Sequence, residues 1–194
     1  SIIILNWNGK DLLSECLPSV VEAVQYDTDT YCSNSDKKHE IIVVDNGSSD
    51  DSILFLEKKF PSIKVIKLDK NIGFGEGNNA GVQEAKNDIV VLLNNDMMVD
   101  KNFLRPLIDG FINDEIFAVG SQIFFQDQTK RREETGKTIC FFKYGDIRYS
   151  HQSVTEYDYR RKYVTVSWAG GGSSAFDRKK FLELGGFDTI FPPC

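Results

Sequence analysis

An open α/β fold with a mostly parallel central sheet flanked by helices is predicted by three features of the chain. Short β-branched, apolar runs recur at residues 1–5, 40–44, 64–68 and 89–93. Segments with apolar residues at helical spacing stand between them, as a parallel sheet with crossover helices requires. Each run stops at a polar or glycine-rich turn, which gathers those turns at one edge of the sheet.

Residues 89–93 are the centre of this pattern. They are apolar without interruption, as a strand buried on both faces must be, and they stop at Asn94, Asn95 and Asp96. Ligands of open α/β sheets sit at the carboxyl ends of the strands. Two readings of the triplet stand. One is a turn that is polar because the chain reverses there. The other is a cation site, since one ionised carboxylate beside two amide carbonyls offers hard oxygen donors to Mg²⁺ or Mn²⁺, and that ion can hold a diphosphate.

Taken in order, the first strand ends in Asn6, Trp7, Asn8 and Gly9, and the chain begins inside it without Met, as a trimmed domain would. Leu12, Leu13, Leu17, Val20, Val21 and Val24 then predict a helix over residues 10–23, bent at Pro18. The polar stretch 26–38 is expected as a surface loop. The second strand ends in Asp45, followed by Asn46, Gly47, Ser48, Ser49 and Asp50. Gly47 permits the turn, and Ser49 or Asp50 can cap a helix reaching Phe60. A carboxylate at such a strand tip either accepts a hydrogen bond from a base or ribose or faces solvent beside the cap, and Asp45 allows both.

After the strand at residues 64–68, Gly73, Gly75, Gly77 and Gly81 make a glycine-rich segment. It fails the G-x-G-x-x-G fingerprint because Asn78 occupies the third glycine position, which disfavours a dinucleotide site. A helix is expected over residues 77–85, with its first amides open to a phosphate or a sugar hydroxyl. Residues 102–113 read as an amphipathic helix, 117–125 as a strand, and 164–168 as a further strand leading into Gly170, Gly171 and Gly172. Residues 178–184 read as a helix closed by Gly185 and Gly186. The stretch 126–163 is polar and aromatic without a clear period.

With 194 residues and 41% hydrophobic content the chain can bury one sizeable core, taken as one domain over residues 1–194. A net charge of −6 and a pI near 5.0 argue against a nucleic-acid partner. The basic run Lys130, Arg131, Arg132 meets Glu133 and Glu134 at once and reads as a mixed-charge loop. No apolar stretch has the length of a membrane span and no signal peptide is present, so a cytoplasmic location is expected. Cys16, Cys32, Cys140 and Cys194 have no C-x-x-C spacing, and only His39 and His151 can join them. Neither a disulfide frame nor a zinc site is expected, and both histidines are read as surface residues. Gly136-Lys137-Thr138 echoes the end of a P-loop, but Arg131 stands where that motif needs Gly.

Five blocks stand together in the order seen in glycosyltransferase family 2. They are Ile3-Ile4-Leu5-Asn6-Trp7-Asn8-Gly9, Val43-Val44-Asp45-Asn46-Gly47-Ser48-Ser49-Asp50, Asn71-Ile72-Gly73-Phe74 with Gly77-Asn78-Asn79, Leu92-Leu93-Asn94-Asn95-Asp96, and Leu184-Gly185-Gly186-Phe187-Asp188. Over nearly its whole length the chain resembles a bacterial member of that family. The resemblance implies the GT-A fold, with residues 1–100 as the nucleotide-binding half and 101–194 as an incomplete acceptor-side half. It implies a nucleotide-diphosphate sugar donor, Mn²⁺ or Mg²⁺, and transfer with inversion to a hydroxyl of a glycan or lipid-linked acceptor. Bacterial surface polysaccharide synthesis is the expected setting, with peripheral association of the full-length protein at the inner face of the membrane.

Residue by residue, Asp45 resembles the aspartate that reads the nucleobase, with Asn6 and Trp7 beside it. Asp96 matches the last acid of the D-x-D motif and is implied as the metal ligand. Asn94 stands where many members have the first Asp, and Asn95 falls beside the ribose or the metal shell. Gly73 and Asn78 belong to a block counted with the donor site, and Gly171 and Gly172 resemble the wall beneath the sugar. The family's base resembles a Glu-Asp pair shortly after the Gly-Gly-Phe-Asp block, which puts it beyond Cys194, with Asp188 as the substitute within the chain. Two other classes are kept. A sugar-phosphate nucleotidyltransferase shares the architecture, but Asn6-Trp7-Asn8-Gly9-Lys10 lacks its Gly-rich basic loop. A non-catalytic carbohydrate-binding module would bind without regard to metal or nucleotide.

Overall fold

The structure is a computed structural model, which describes residues 1–32, 38–127, 129, 133–135, 137–161 and 163–190, with backbone alone at 133–135. Its strands are β1 (Ile2–Asn6), β2 (Ile41–Asp45), β3 (Lys64–Lys67), β4 (Ile89–Asn94), β5 (Ala118–Gly120), β6 (Ile123–Phe124), β7 (Glu133–Thr135), β8 (Lys137–Lys143), β9 (Asp146–Gln152) and β10 (Ser173–Asp177). Its helices are α1 (Lys10–Tyr31), α2 (Ser52–Lys59), α3 (Phe74–Glu84), α4 (Leu104–Asp109), α5 (Glu156–Tyr159) and α6 (Arg178–Glu183).

Six strands form the central sheet in the order β3-β2-β1-β4-β10-β5. The first four run parallel, and β10 lies antiparallel to both β4 and β5. Successive residues of a strand face opposite sides, so each buried strand feeds two cores. Ile2, Ile4, Val43, Val91 and Leu93 pack with Leu13, Leu17 and Val20 of α1, Leu56 of α2, and Leu104 and Leu107 of α4. Ile3, Ile42, Val44, Val90 and Leu92 pack on the other side with Val82 of α3 and Phe181 of α6. The mostly parallel, helix-flanked sheet expected from the sequence is thus present.

Several local expectations are corrected. Helix α1 continues through Pro18 and on to Tyr31, so residues 26–31 are not loop. Leu13, Leu17, Val20, Ala23 and Asp27 are all buried along one face, and the polar Asp27 hides the last turns from a hydrophobic pattern. Helix α3 starts at Phe74 rather than at residue 77, entered from Gly73 with φ +91. Helix α4 is shorter than residues 102–113 and stops at Gly110. The expected strand over 117–125 divides into β5 and β6.

Residues 164–168 form no strand; the strand lies farther on, at β10. Ser173 and Ser174 are buried there between β4 and β5, and two polar residues give no strand signal in a sequence. Trp168 serves instead as a platform for the β8–β9 hairpin. Its ring meets those of Tyr149 and His151 edge-on at centroid distances of 5.9 and 5.4 Å, and its carbonyl accepts from Thr138 Oγ1 at 2.9 Å. That hairpin, unassigned in the sequence, turns on Tyr144 and Gly145, both at positive φ, as a two-residue loop between right-twisted strands requires.

His39 is not a surface residue. Its side chain is only 15% exposed and its Nε2 lies 2.8 Å from Asp27 Oδ2. Cys16, Cys32 and Cys140 are free thiols. Lys130, Arg131, Arg132 and Cys194 lie outside the described residues. Among those residues no helix is long and apolar enough to cross a membrane.

Candidate active site

The parallel register brings three strand ends side by side. Asn6 is paired with Asp45 across β1 and β2, and Leu5 with Asn94 across β1 and β4. Asn6 stands at the centre. Its Nδ2 donates to Asp45 Oδ2 at 3.2 Å and to Ser48 Oγ at 3.3 Å, while its Oδ1 accepts from Asn95 Nδ2 at 2.9 Å. Asp45 Oδ1 accepts from the Ser48 N–H at 2.9 Å. Asn6 and Asp45 are both 0% exposed. The carboxylate expected to read a base therefore lies beneath the surface with one oxygen engaged by Asn6 and the other by Ser48, and Asn6 in turn holds Asn95.

Gly9 closes this layer from above. A Cβ there would lie 2.3 Å from Asn95 Nδ2 and 2.5 Å from Asn6 Oδ1, so only glycine allows the β1–α1 turn to sit on the amide pair. Asn8 precedes it with φ 51, in the left-handed region that Asn tolerates, and its Oδ1 accepts from the Ser49 N–H at 2.7 Å. The two turns flank a cleft of about 490 Å³ lined by Asn8, Lys10, Ser49 and Asp50. Burial raises the Asp50 carboxyl pKa, but hydrogen bonds from Ser52 and from the Lys10 N–H outweigh that and hold it below the ordinary value. Trp7 is exposed at the mouth of the strand ends.

At the end of β4, Asn94 and Gly172 are locked together. Asn94 N–H donates to the Gly172 carbonyl at 2.9 Å, and a Cβ on Gly172 would come within 2.7 Å of Asn94 Nδ2. The Met97 N–H donates back to the Asn94 carbonyl at 3.3 Å, closing a turn with Asp96 as its third residue. Asp96 is exposed, and its carboxylate has no hydrogen-bond or ion-pair partner among the described residues. Burial first, then Glu15 and Asp96, push the Cys16 thiol pKa up. One exposed carboxylate at the end of the central strand, two residues past Asn94, fits a hard divalent ion that keeps waters and binds substrate phosphates.

Gly73 and Asn78 form a neighbouring layer. The Gly73 carbonyl accepts from Asn46 Nδ2 at 3.2 Å, and Asn71 Oδ1 accepts from both Asn46 Nδ2 and the Gly73 N–H, at 2.9 and 2.8 Å. Asn78 is buried and donates to the Phe74 carbonyl at 2.9 Å, tying it to the first turn of α3. Gly171 sits against Phe74 and Phe187. Asn79 takes both backbone groups of Phe187, at 2.9 Å each. Asp188 is exposed, and its Oδ1 accepts from the Ile190 N–H at 3.0 Å. Asn8, Asn46, Asn71 and Asn79 each lie inside a quoted block; Asn8 and Asn46 stand next to Gly, a pair suited to tight turns, whereas Asn71 and Asn79 carry no such local signal.

The polar ends of β1, β2 and β4 thus meet at one edge of the sheet, where open α/β proteins place their ligands. The profile of Glycosyl transferase family 2 matches residues 1–185, and the chain belongs to that family. It is 30% identical over 122 residues to the uncharacterized glycosyltransferase YfnE of Bacillus subtilis, covering 61% of this chain and 28% of that protein. It is 33% identical over 114 residues to the undecaprenyl-phosphate 4-deoxy-4-formamido-L-arabinose transferase of Edwardsiella ictaluri, covering 57% of this chain and 33% of that one. The chain spans a third or less of the length of these relatives. Among solved structures it is similar to the mannosyltransferase PcManGT from Pyrobaculum calidifontis in complex with GDP-Man and Mn²⁺, with a TM-score of 0.66, 19% identity, and coverage of 97% of this chain and 47% of that one. GalNAc-T7 with UDP, GalNAc and Mn²⁺ gives a TM-score of 0.70 at 18% identity, over 100% of this chain and 38% of its own. The fold is GT-A.

Proposed function

We propose that the protein moves a sugar from a nucleotide-diphosphate sugar to an acceptor hydroxyl, with inversion and with Mn²⁺ or Mg²⁺ held at Asp96. The observation that carries this reading is the free carboxylate of Asp96 at the tip of the central strand, beside the ordered amides of Asn94 and Asn95. Family membership and neighbours solved with GDP-Man or UDP and Mn²⁺ support it. Residues 1–100 take the donor and 101–194 face the acceptor.

In this reading the buried pair Asn6 and Asp45 positions, and Ser48, Asn95 and the exposed Trp7 touch the nucleotide. A cation at Asp96, when bound, offsets the charge on the departing diphosphate. Gly172 leaves room for the Asn94 amide beneath the sugar, where any larger residue would displace it. Asp188 is engaged by its own turn, its Oδ1 accepting from the Ile190 N–H. A cavity of about 680 Å³ lined by Lys137, His151, Trp168, Ser173 and Ser174 is proposed for the acceptor. Glycan or lipid-linked acceptors suit relatives named for undecaprenyl phosphate and poly(ribitol phosphate), with the protein working at the cytoplasmic face of the membrane.

A thermal-shift series with UDP, GDP and dTDP, with and without Mn²⁺, tests the reading. One nucleotide is expected to raise the unfolding midpoint only when the metal is present. A shift with nucleoside triphosphate and sugar phosphate but with no diphosphate would favour the nucleotidyltransferase class.

A further inference from the structure

We propose that Asp27, Cys32 and His39 form a zinc site, separate from the donor site and at the opposite edge of the sheet. Helix α1 starts at the carboxyl end of β1 and carries Asp27 and Cys32 back to the amino edge, where His39 leads into β2. The three donor atoms lie within 4.8 Å of one another. His39 Nε2 is 2.8 Å from Asp27 Oδ2, and Cys32 Sγ is 3.9 Å from each.

Two features separate a metal site from a plain hydrogen-bonded cluster or a nucleophile. First, the thiol and the carboxylate face the same imidazole nitrogen. A Cys-His-Asp nucleophile needs them on opposite nitrogens, whereas three donors converging on one point are what a cation requires. Tetrahedral zinc, with ligands at about 2.0–2.3 Å, separates its donor atoms by roughly 3.3–3.7 Å. The two contacts of sulfur are close to that already, and the Asp27 to His39 pair opens by about half an ångström to admit the ion. Second, Asp27 is 1% exposed; its Oδ2 faces the imidazole and the thiol, while its Oδ1 has no hydrogen-bond partner among the described residues and lies 3.5 Å from Arg105 Nε. Negative charge buried this deeply is costly; Arg105 offsets part of it, and a cation bound at Oδ2 would offset more.

The donor set decides which cation. One thiolate, one imidazole and one carboxylate suit Zn²⁺, while Mg²⁺ and Mn²⁺ prefer all-oxygen donor sets, to which only Asp27 of these three side chains contributes. Binding releases the Cys32 proton and ties the end of α1 to the start of β2, so the site stabilises the fold.

Cobalt(II), added to chelator-stripped protein, is the probe. A thiolate-to-cobalt charge-transfer band at one equivalent is expected, displaced by Zn²⁺, and one equivalent of Zn²⁺ should raise the thermal midpoint. Cys32→Ser should remove the band and weaken Zn²⁺ binding more than about 100-fold, beyond the 10- to 100-fold typical of outer-shell partners. His39→Gln should act alike, with circular dichroism checking that each variant is folded. Cys16→Ser, Cys140→Ser and Asp96→Ala should keep the band, which separates this site from the donor site. Absence of the band in the parent protein, or its survival in folded Cys32→Ser, would overturn the proposal.

Discussion

Asn6 Nδ2 donates to Asp45 Oδ2 at 3.2 Å between the ends of two adjacent parallel strands, and neither residue has surface exposed to solvent. The acidic group most easily taken for a ligand contact is thus part of a buried floor. Its charge is spread over Asn6 and Ser48, which in turn fix the groups that face outward. Asn6→Ala leaves Asp45 Oδ2 and the Asn95 amide short of a partner. It should lower stability by about 1–3 kcal/mol, the cost of stranding buried polar groups. Urea unfolding should show an earlier midpoint at unchanged slope; a midpoint equal to the parent's would mean that the floor is not structural.

Gly172→Ala puts a methyl 2.7 Å from Asn94 Nδ2. The Asn94 amide must move, and overpacking of this kind costs about 1–3 kcal/mol. Nucleotide-sugar affinity should fall more than affinity for the nucleoside diphosphate alone if, as proposed, the Asn94 amide lies beneath the sugar. Titrations with both ligands on the same preparation check this.

Asp158 accepts from Lys137 Nζ at 3.0 and 2.9 Å and from Thr155 Oγ1 and N at 2.6 and 2.8 Å. The Thr155 hydroxyl first, then Lys137, lowers its pKa to about 2. An unfolded Asp titrates near 3.9. The folded state therefore binds this proton less readily, so the stabilisation is complete above about pH 4 and is lost as pH falls toward 2. Asp158→Asn should flatten that part of the acid-unfolding curve while leaving its shape near neutrality unchanged. An identical acid branch in both proteins would show that the Lys137 pair does not hold the α5 turn.

Strands β1, β2 and β4 were legible because uninterrupted apolar runs have few alternatives in a chain of this size, and β3 because Val65 and Ile66 stand as a short β-branched pair between two helical segments. What local patterns could not show is which strand lies beside which. The contact of Asn6 with both Asp45 and Asn95 exists only because β1 sits between β2 and β4, and that order is a long-range property. Polar residues at buried positions caused the other misses. Asp27 disguised the end of α1, and Ser173 and Ser174 disguised β10, the strand that presents Gly172 to Asn94. The hairpin at β8 and β9 depends on Tyr144 accepting a left-handed conformation, which its residue type does not advertise. Asn94, Asn95 and Asp96 were placed correctly at a strand end by an abrupt change from apolar to polar, a signal contained wholly in neighbouring residues.

The most direct test is calorimetric titration of UDP, GDP and dTDP, with and without Mn²⁺, into the parent protein and Asp96→Ala. Asp96 is exposed and without a protein partner among the described residues, so the variant should keep the parent's thermal midpoint. One nucleotide is expected to bind the parent only with Mn²⁺ and to lose at least about tenfold in affinity, roughly 1.4 kcal/mol, in the variant. Equal, metal-dependent binding by both proteins would contradict the placement of the cation at Asp96 and with it the proposed donor site.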